Sequence, residues 1–332
     1  MITTRSPFRI SFVGGGSDIE DFYRSHSGAV ISTSINKYMY ISSHPFFEND
    51  KIRVKYSKTE TALSANELNH PIFREALNYF NVPTGLELSS IADIPAGTGM
   101  GSSSSFTVCL LHNIFTVLNK EITKEKLARE ACQVEIGLLK EPIGKQDQYA
   151  AAFGGLNLFE FKSDGHVNVI HLNLAAEIYE NFEENLILFY TGHSRNASEV
   201  LKEQKKNMFR KESIEILKEM VQLVYHFKDS LLKGELDMIG KLLHHNWMLK
   251  QKLASGITNS FVDSIYSKAL KNGALGGKLL GAGGGGFLLF YCPKLFQNRL
   301  IESLRPLRYF PFKFEREGSK LIYASESKPC LT

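Results

Sequence analysis

Apolar and polar positions alternate along the first 45 residues. The run FRISFVGG is a short β pattern stopped by glycines, and AVISTSINKYMYISS, rich in Ile, Val, Thr and Tyr, predicts a longer strand. KIRVKYS and GLELSS predict two more strands, and between them the spacing over 67–82 turns helical. FTVCLLHNIFTVLN is apolar nearly all round, the mark of a helix buried on most sides. A further helix is expected over 123–139, where Leu127, Ala131, Val134 and Leu138 recur at spacings of three and four. LILFYTG at 186–192 reads as a buried strand. One long amphipathic helix is expected over 198–233, with Ile216, Met220, Leu223, Phe227 and Leu231 on one stripe, and a second over 237–255. The β-like FLLFYC follows at 287–292, and a final strand is expected near 311–315. Mixed β and α segments followed by helices around a small sheet predict an α+β protein of two lobes, divided as 1–170 and 171–332.

The 332 residues are 43% hydrophobic and 22% charged, the balance of a globular chain with a full core. A net charge of +4 gives no reason to expect nucleic acid or an acidic membrane as partner. No stretch approaches the roughly 20 apolar residues of a membrane span, and no signal-peptide pattern opens the chain, so a cytoplasmic location is expected. Cys109, Cys132, Cys292 and Cys330 are scattered and form no CxxC pair, which points to free thiols. The basic residues Lys202, Lys205, Lys206, Arg210 and Lys211 are interleaved with Glu199, Glu203 and Glu212, as on a solvated helix face. The sequence says nothing about oligomeric state.

The stretch IPAGTGMGSSSSF concentrates the chemistry. Gly97, Gly99 and Gly101 alternate, and Ser102, Ser103 and Ser104 open the apolar helix. A helix start leaves backbone N–H groups unpaired and carries partial positive charge, and glycines before it let those groups converge on an anion. Serines there can donate to phosphate oxygens or offer a hydroxyl to Mg²⁺. A polyphosphate over 97–104 is the expectation, although no Walker A loop is present because no GK[ST] follows. GAGGGG at 281–286 matches GxGxxG, but a β-like run follows it where a dinucleotide fold needs a helix. GGGSD at 14–18 ends a strand and delivers Asp18 at its tip.

Taken in order, SPFRISFVGGGSD, PAGTGMGSSSS and KLLGAGGGGF resemble the three signature segments of the GHMP small-molecule kinases. The text SHSGAVISTSINKY is similar to the branch acting on bacterial heptose 7-phosphate, departing at Ser27. The resemblance implies a two-lobed fold, with a ribosomal-protein-S5-like N-terminal lobe and a ferredoxin-like C-terminal lobe. It also implies ATP and Mg²⁺ in the cleft and phosphoryl transfer to an alcohol. Carried over residue by residue, Gly97, Gly99, Gly101, Ser102, Ser103 and Ser104 cradle phosphate, and Ser103 and Glu135 hold Mg²⁺. Asp147, twelve residues after Glu135 and expected in a connecting loop, would orient or deprotonate the attacking hydroxyl, with Arg9 stabilising developing charge. Gly15, Gly16, Ser17 and Asp18 would contact the sugar.

The implied acceptor is D-glycero-D-manno-heptose 7-phosphate, converted at its anomeric hydroxyl to the 1,7-bisphosphate for surface-polysaccharide synthesis. A fucose or galactose 1-kinase, or a regulator that binds ATP and sugar without turnover, are the other readings. Arg195, in the loop TGHSRNAS, is the first residue expected to pair with a substrate phosphate, with Lys145 and Lys37 behind it. The adjacent His244 and His245 are expected to point to different sides of a helix and so not to form a metal site.

Overall fold

β1 (Ile2–Val13) alternates its side chains between two covered faces, so nearly the whole strand is buried. It pairs antiparallel with β2 (Gly28–Pro45), the 18-residue strand around which the larger sheet is organised. The computed structural model describes residues 1–192 and 197–325. β3 (Ile52–Lys55), β4 (Thr59–Ala62), β5 (Leu86–Ala92), β6 (Leu156–Phe161) and β7 (Val167–His171) extend this sheet, with β2 taking β5 along 39–45 and β6 along 28–33. A second sheet is antiparallel throughout, from β8 (Leu186–Tyr190), β9 (Gly276–Leu279), β10 (Phe287–Tyr291) and β11 (Arg308–Tyr309) in the order β11-β8-β10-β9. The chain then rejoins the first sheet through β12 (Phe314–Glu315) on β2 and β13 (Lys320–Ala324) on β1. The expected division after residue 170 falls inside β7.

The helices are α1 (Glu20–His26), α2 (Pro71–Tyr79), α3 (Ser102–Val117), α4 (Lys124–Cys132), α5 (Gln146–Phe153), α6 (Ala176–Glu184), α7 (Ala197–Asn207), α8 (Lys211–Lys233), α9 (Leu236–Lys250), α10 (Ser260–Lys271) and α11 (Lys294–Ser303). Local chemistry sets several of their starts. Thr123 accepts the Lys126 amide at 3.2 Å and Asn259 the Val262 amide at 2.9 Å, while Pro71 supplies the first residue of α2. α3 and α5 pack on β1 and β2, and α8 and α9 pack on each other and on β1. Phe12, Phe182, Phe227 and Phe314, from β1, α6, α8 and β12, pack with ring centroids 5.2–6.4 Å apart and join the first sheet to α6 and α8.

Three expectations need correction. The helix over 198–233 is two helices, because Phe209, Arg210, Lys211 and Glu212 are all exposed and leave one full turn without a packed face. The helix over 123–139 ends at Cys132 and continues as a wider π turn over 133–138, which brings the neighbours Val134 and Glu135 inside together. Asp147 lies in the first turn of α5, not in a loop; that helix escaped notice because its sequence QDQYAAAF is short and has no clear apolar stripe.

Among the described residues no helix is long and apolar enough to cross a membrane. Cys109, Cys132 and Cys292 are buried and free, and Cys330 lies outside the described residues. The basic residues of 202–211 are exposed, with Lys205 bonded to Asp21 at 3.2 Å.

Candidate active site

A cleft of about 430 Å³ opens where the three glycine-rich segments meet. Its first wall is the turn before α3. Gly99 adopts φ +83°, and a Cβ there would stand 2.4 Å from the Leu280 carbonyl oxygen, so only glycine lets this loop close on the segment that precedes 281–286. Gly101 precedes α3 without any side-chain cap, so the helix presents its first amides to the cleft with nothing from the side chains competing for them. Gly97, Ser102, Ser103 and Ser104 line the same wall. Such a cradle suits a phosphate chain.

Beside it, Ser103 Oγ donates to Glu135 Oε1 at 2.5 Å, and Gln148 Nε2 donates to Glu135 Oε2 at 2.7 Å. Glu135 is fully buried, and burial raises its carboxyl to about 7, only partly offset by the hydrogen bonds of Ser103, Gln148 and Ser104. No cluster of three or more His, Cys, Asp or Glu side chains that would hold a metal occurs among the described residues. Ser103, which lines the cleft, and Glu135 behind it are oxygen donors of the kind Mg²⁺ takes.

The second wall carries a bidentate arginine–carboxylate pair. Arg9 Nε and Nη2 donate to Asp147 Oδ1 and Oδ2, each at 2.8 Å, while Nη1 donates to the Gly99 carbonyl at 2.7 Å. Arg9 is 4% exposed and Asp147 23%, so the guanidinium is fixed from behind while the carboxylate keeps access to the cleft. Asp18 is buried; its Oδ1 accepts the Gly16 amide at 2.9 Å and its Oδ2 the Gln146 amide at 3.2 Å. Burial raises its carboxyl above the usual range, against the pull of those amides. A carboxylate in this position ties the first glycine turn to the start of α5.

The structure separates Ser17 from the others. Its hydroxyl donates to the carbonyls of Gly14 and Ala29 at 2.8 and 3.0 Å and accepts the Ala29 amide at 3.1 Å. It is fully buried and does not line the cleft, because the turn uses all its hydrogen-bonding capacity. Gly15 and Gly16 do line it. Arg195 lies outside the described residues. Lys145 and Lys37 are also away from the cleft. Lys145 bonds the Gly165 carbonyl at 2.9 Å in a second cavity of about 930 Å³, which shares Asp18 and Ile143 with the first, and Lys37 stands over the Phe310 ring. His244 bonds Tyr266 and His245 bonds Glu219, on different sides of α9.

Two buried cations were not anticipated. Lys250, at the end of α9, donates to the Gly281 carbonyl, and Lys278, in β9, donates to the Phe12 carbonyl at 2.9 Å; both line the cleft. Burial lowers Lys250 to about 8, helped by the charge of Arg9 and opposed by Asp18 and Asp147. Burial and the neighbouring Lys250 and Arg9 hold Lys278 well below the ordinary lysine range. A signal for Lys250 was present: Leu243, Trp247, Lys250 and Ala254 follow helical spacing, which places a lysine on an apolar stripe. Burial disfavours the charged form of both lysines, and an anionic ligand in the cleft would favour it again.

The GHMP kinases N terminal domain matches residues 67–155, and the GHMP kinases C terminal domain matches 227–305, together just over half of the chain. The D-glycero-alpha-D-manno-heptose 7-phosphate kinase of Campylobacter jejuni is 27% identical over 96% of this chain and 98% of its own. The mevalonate kinase of Thermococcus sibiricus is 27% identical over 83% of this chain and 80% of its own. In structure, a D-glycero-D-manno-heptose 1-phosphate kinase from Bacteroides thetaiotaomicron superposes with a TM-score of 0.81 at 24% identity, covering 98% of this chain and 100% of that one. With both family domains matched in order, over a fold whose glycine loops meet across one cleft, the chain belongs to the GHMP kinases.

Proposed function

We propose that this kinase transfers the γ-phosphoryl group of ATP to the anomeric hydroxyl of D-glycero-D-manno-heptose 7-phosphate, giving the 1,7-bisphosphate in the cytoplasm for nucleotide-heptose and surface-polysaccharide synthesis. The observation that carries the chemistry is the Arg9–Asp147 pair, set in the same cleft as the uncapped start of α3. Asp147 accepts the proton of the acceptor hydroxyl, and Arg9 fixes both carboxylate oxygens so that one lone-pair direction faces the acceptor. Amides at the start of α3 and the hydroxyls of Ser102 and Ser104 hold the donor phosphates, while Lys250 adds positive charge when protonated. Ser103 and Glu135 would hold Mg²⁺, which supplies charge neutralisation on the phosphates. The heptose phosphate rests on the Campylobacter relative, similar over nearly the full length of both chains.

ADP release from ATP and Mg²⁺ tests the reading against heptose 7-phosphate, unphosphorylated heptose, galactose, fucose, mevalonate and homoserine. Turnover strongest with heptose 7-phosphate is the expected result. Faster turnover of another sugar would keep the kinase and replace its acceptor, and turnover of mevalonate alone would overturn the sugar reading.

A further inference from the structure

Three polar atoms of the cleft wall have no task in the chemistry above. Ser11 Oγ, Gln146 Oε1 and Gln204 Nε2 are buried without a hydrogen-bond partner, and all three residues line the cleft. Ser11 and Gln204 are 5% and 3% exposed. They arrive from separate elements: Ser11 from β1, two residues beyond Arg9 and so on the same strand face; Gln146 from the start of α5, beside Asp147; and Gln204 from α7.

The first glycine turn lies among them. A Cβ on Gly15 would stand 3.7 Å from both Ser11 Oγ and Gln146 Nε2, and one on Gly16 would stand 2.5 Å from Gln204 Nε2. The absence of side chains at these two positions lets Gln204 pack against Gly16 and keeps Ser11 and Gln146 beside Gly15 at the cleft wall. A buried amide or hydroxyl left without a partner is costly to the fold. Three on one wall form a pattern that a ligand completes.

We propose that Ser11, Gln146 and Gln204 form the acceptor's specificity subsite and read neighbouring hydroxyl groups on its sugar ring. This rests on the sugar-kinase reading and names the residues that enforce it. Each sugar hydroxyl both donates and accepts. The wall offers matching groups: an amide oxygen to accept, an amide N–H to donate, and a hydroxyl that does either. The carboxylate of an acceptor such as mevalonate only accepts, so placed on this wall it would meet the Gln146 oxygen and the nearby Asp18 lone pair to lone pair. The cations that could offset this are bonded elsewhere: Arg9 to Asp147, Lys250 to the Gly281 carbonyl, Lys278 to the Phe12 carbonyl. The subsite thus separates this chain from its mevalonate-kinase relatives by hydrogen-bond polarity, with no charge of its own.

Steady-state kinetics with heptose 7-phosphate and its 2-, 3- and 4-deoxy analogues tests this on Ser11→Ala and Gln204→Leu proteins. Each variant should raise the acceptor KM about fivefold to tenfold, the size of one neutral hydrogen bond, and leave the ATP KM within twofold. For one deoxy analogue the wild type and Gln204→Leu should become equal within twofold, since the hydroxyl that Gln204 reads is already gone. Gln204→Glu keeps the side chain's size while removing its donor, and carries the same test should the leucine variant not fold. Wild-type turnover of the sugar with acceptor KM values unchanged in the variants would overturn the subsite alone. Equal losses for ATP and sugar would do the same. A wild type that phosphorylates mevalonate and no sugar would overturn the sugar reading and the subsite together.

Discussion

The two ends of the cleft are built in different ways. At the transfer end, contiguous segments do the work through backbone: the turn at 97–101, the start of α3 and the run 281–286 meet because Gly99 can approach the Leu280 carbonyl. At the proposed acceptor end, single side chains from β1, α5 and α7 converge from distant points in sequence. Phosphate presents the same face whatever the acceptor, so a short fixed motif can hold it. Acceptors differ hydroxyl by hydroxyl, and a wall assembled from separate elements can change one contact without disturbing the rest. The Arg9–Asp147 pair stands at the junction, with Arg9 bonded to the phosphate loop at Gly99 and Asp147 next in sequence to Gln146.

The strongest way to break this comparison is at the junction. Asp147→Asn keeps the side chain's shape and one hydrogen bond from Arg9 but removes the proton acceptor. The kcat should fall about 10²- to 10⁴-fold, with ATP affinity, read by equilibrium binding, within a few-fold of wild type. Retention of more than a tenth of the wild-type kcat would remove Asp147 from the chemistry. A large loss of ATP affinity would show instead that the junction cannot be altered without disturbing the transfer end.

The same contrast explains what the sequence disclosed. The GHMP two-domain fold, the glycine and serine residues that line the cleft and the pairing partners Arg9 and Asp147 sit inside local patterns, where glycine spacing, helix periodicity and motif order are all readable. Ser11 follows Arg9 on a buried strand face, Gln204 is a single buried polar residue between buried Val200 and Met208, and their meaning comes from elements that fold against them. Lys278 lies within the quoted KLLGAGGGGF, yet its burial depends on the Phe12 carbonyl in β1, 266 residues earlier. β13 escaped notice because its face is mostly exposed and carries no alternation to read. Helix breaks were equally hidden: the exposed turn at 209–212 differs from the preceding sequence only in what packs against it.

Lys250 gives a sharper and smaller test. Arg9 from β1, Asp18 from the first glycine turn, Asp147 from α5 and Lys278 from β9 are the charged groups around it, and burial brings it to about 8. The ammonium is therefore present below about pH 8 and lost above it. If it stabilises the phosphoryl group, kcat/KM should decline as pH rises through about 8. Lys250→Arg should remove that alkaline limb, and Lys250→Met should cost about tenfold or more at pH 7 while flattening the same limb. Linkage gives an independent sign. The unfolded lysine titrates near 10.5, so between about 8 and 10.5 the unfolded chain binds more protons and Lys250's contribution to stability rises with pH. An alkaline limb unchanged in Lys250→Arg would assign the pH dependence to another group.

The smallest effect on catalysis is expected at Ser17, and it separates scaffold from site within a single motif. Ser17 and Asp18 are adjacent in GGGSD, yet Asp18 lines the cleft while the Ser17 hydroxyl bonds Gly14 and Ala29 in the interior. Removing it takes the hydroxyl partner from the Ala29 amide in a fully buried place, while the Gly14 carbonyl keeps the Ser17 amide, so Ser17→Ala should lower stability to denaturant by about 1–3 kcal/mol. The acceptor KM should stay within about twofold, because no atom of the side chain reaches the cleft. If instead the acceptor KM rose tenfold with stability unchanged, Ser17 would have to contact substrate after the turn rearranges. The acceptor wall would then be a surface formed on binding, and the division between a backbone-built transfer end and a side-chain-built acceptor end would no longer hold at the first glycine turn.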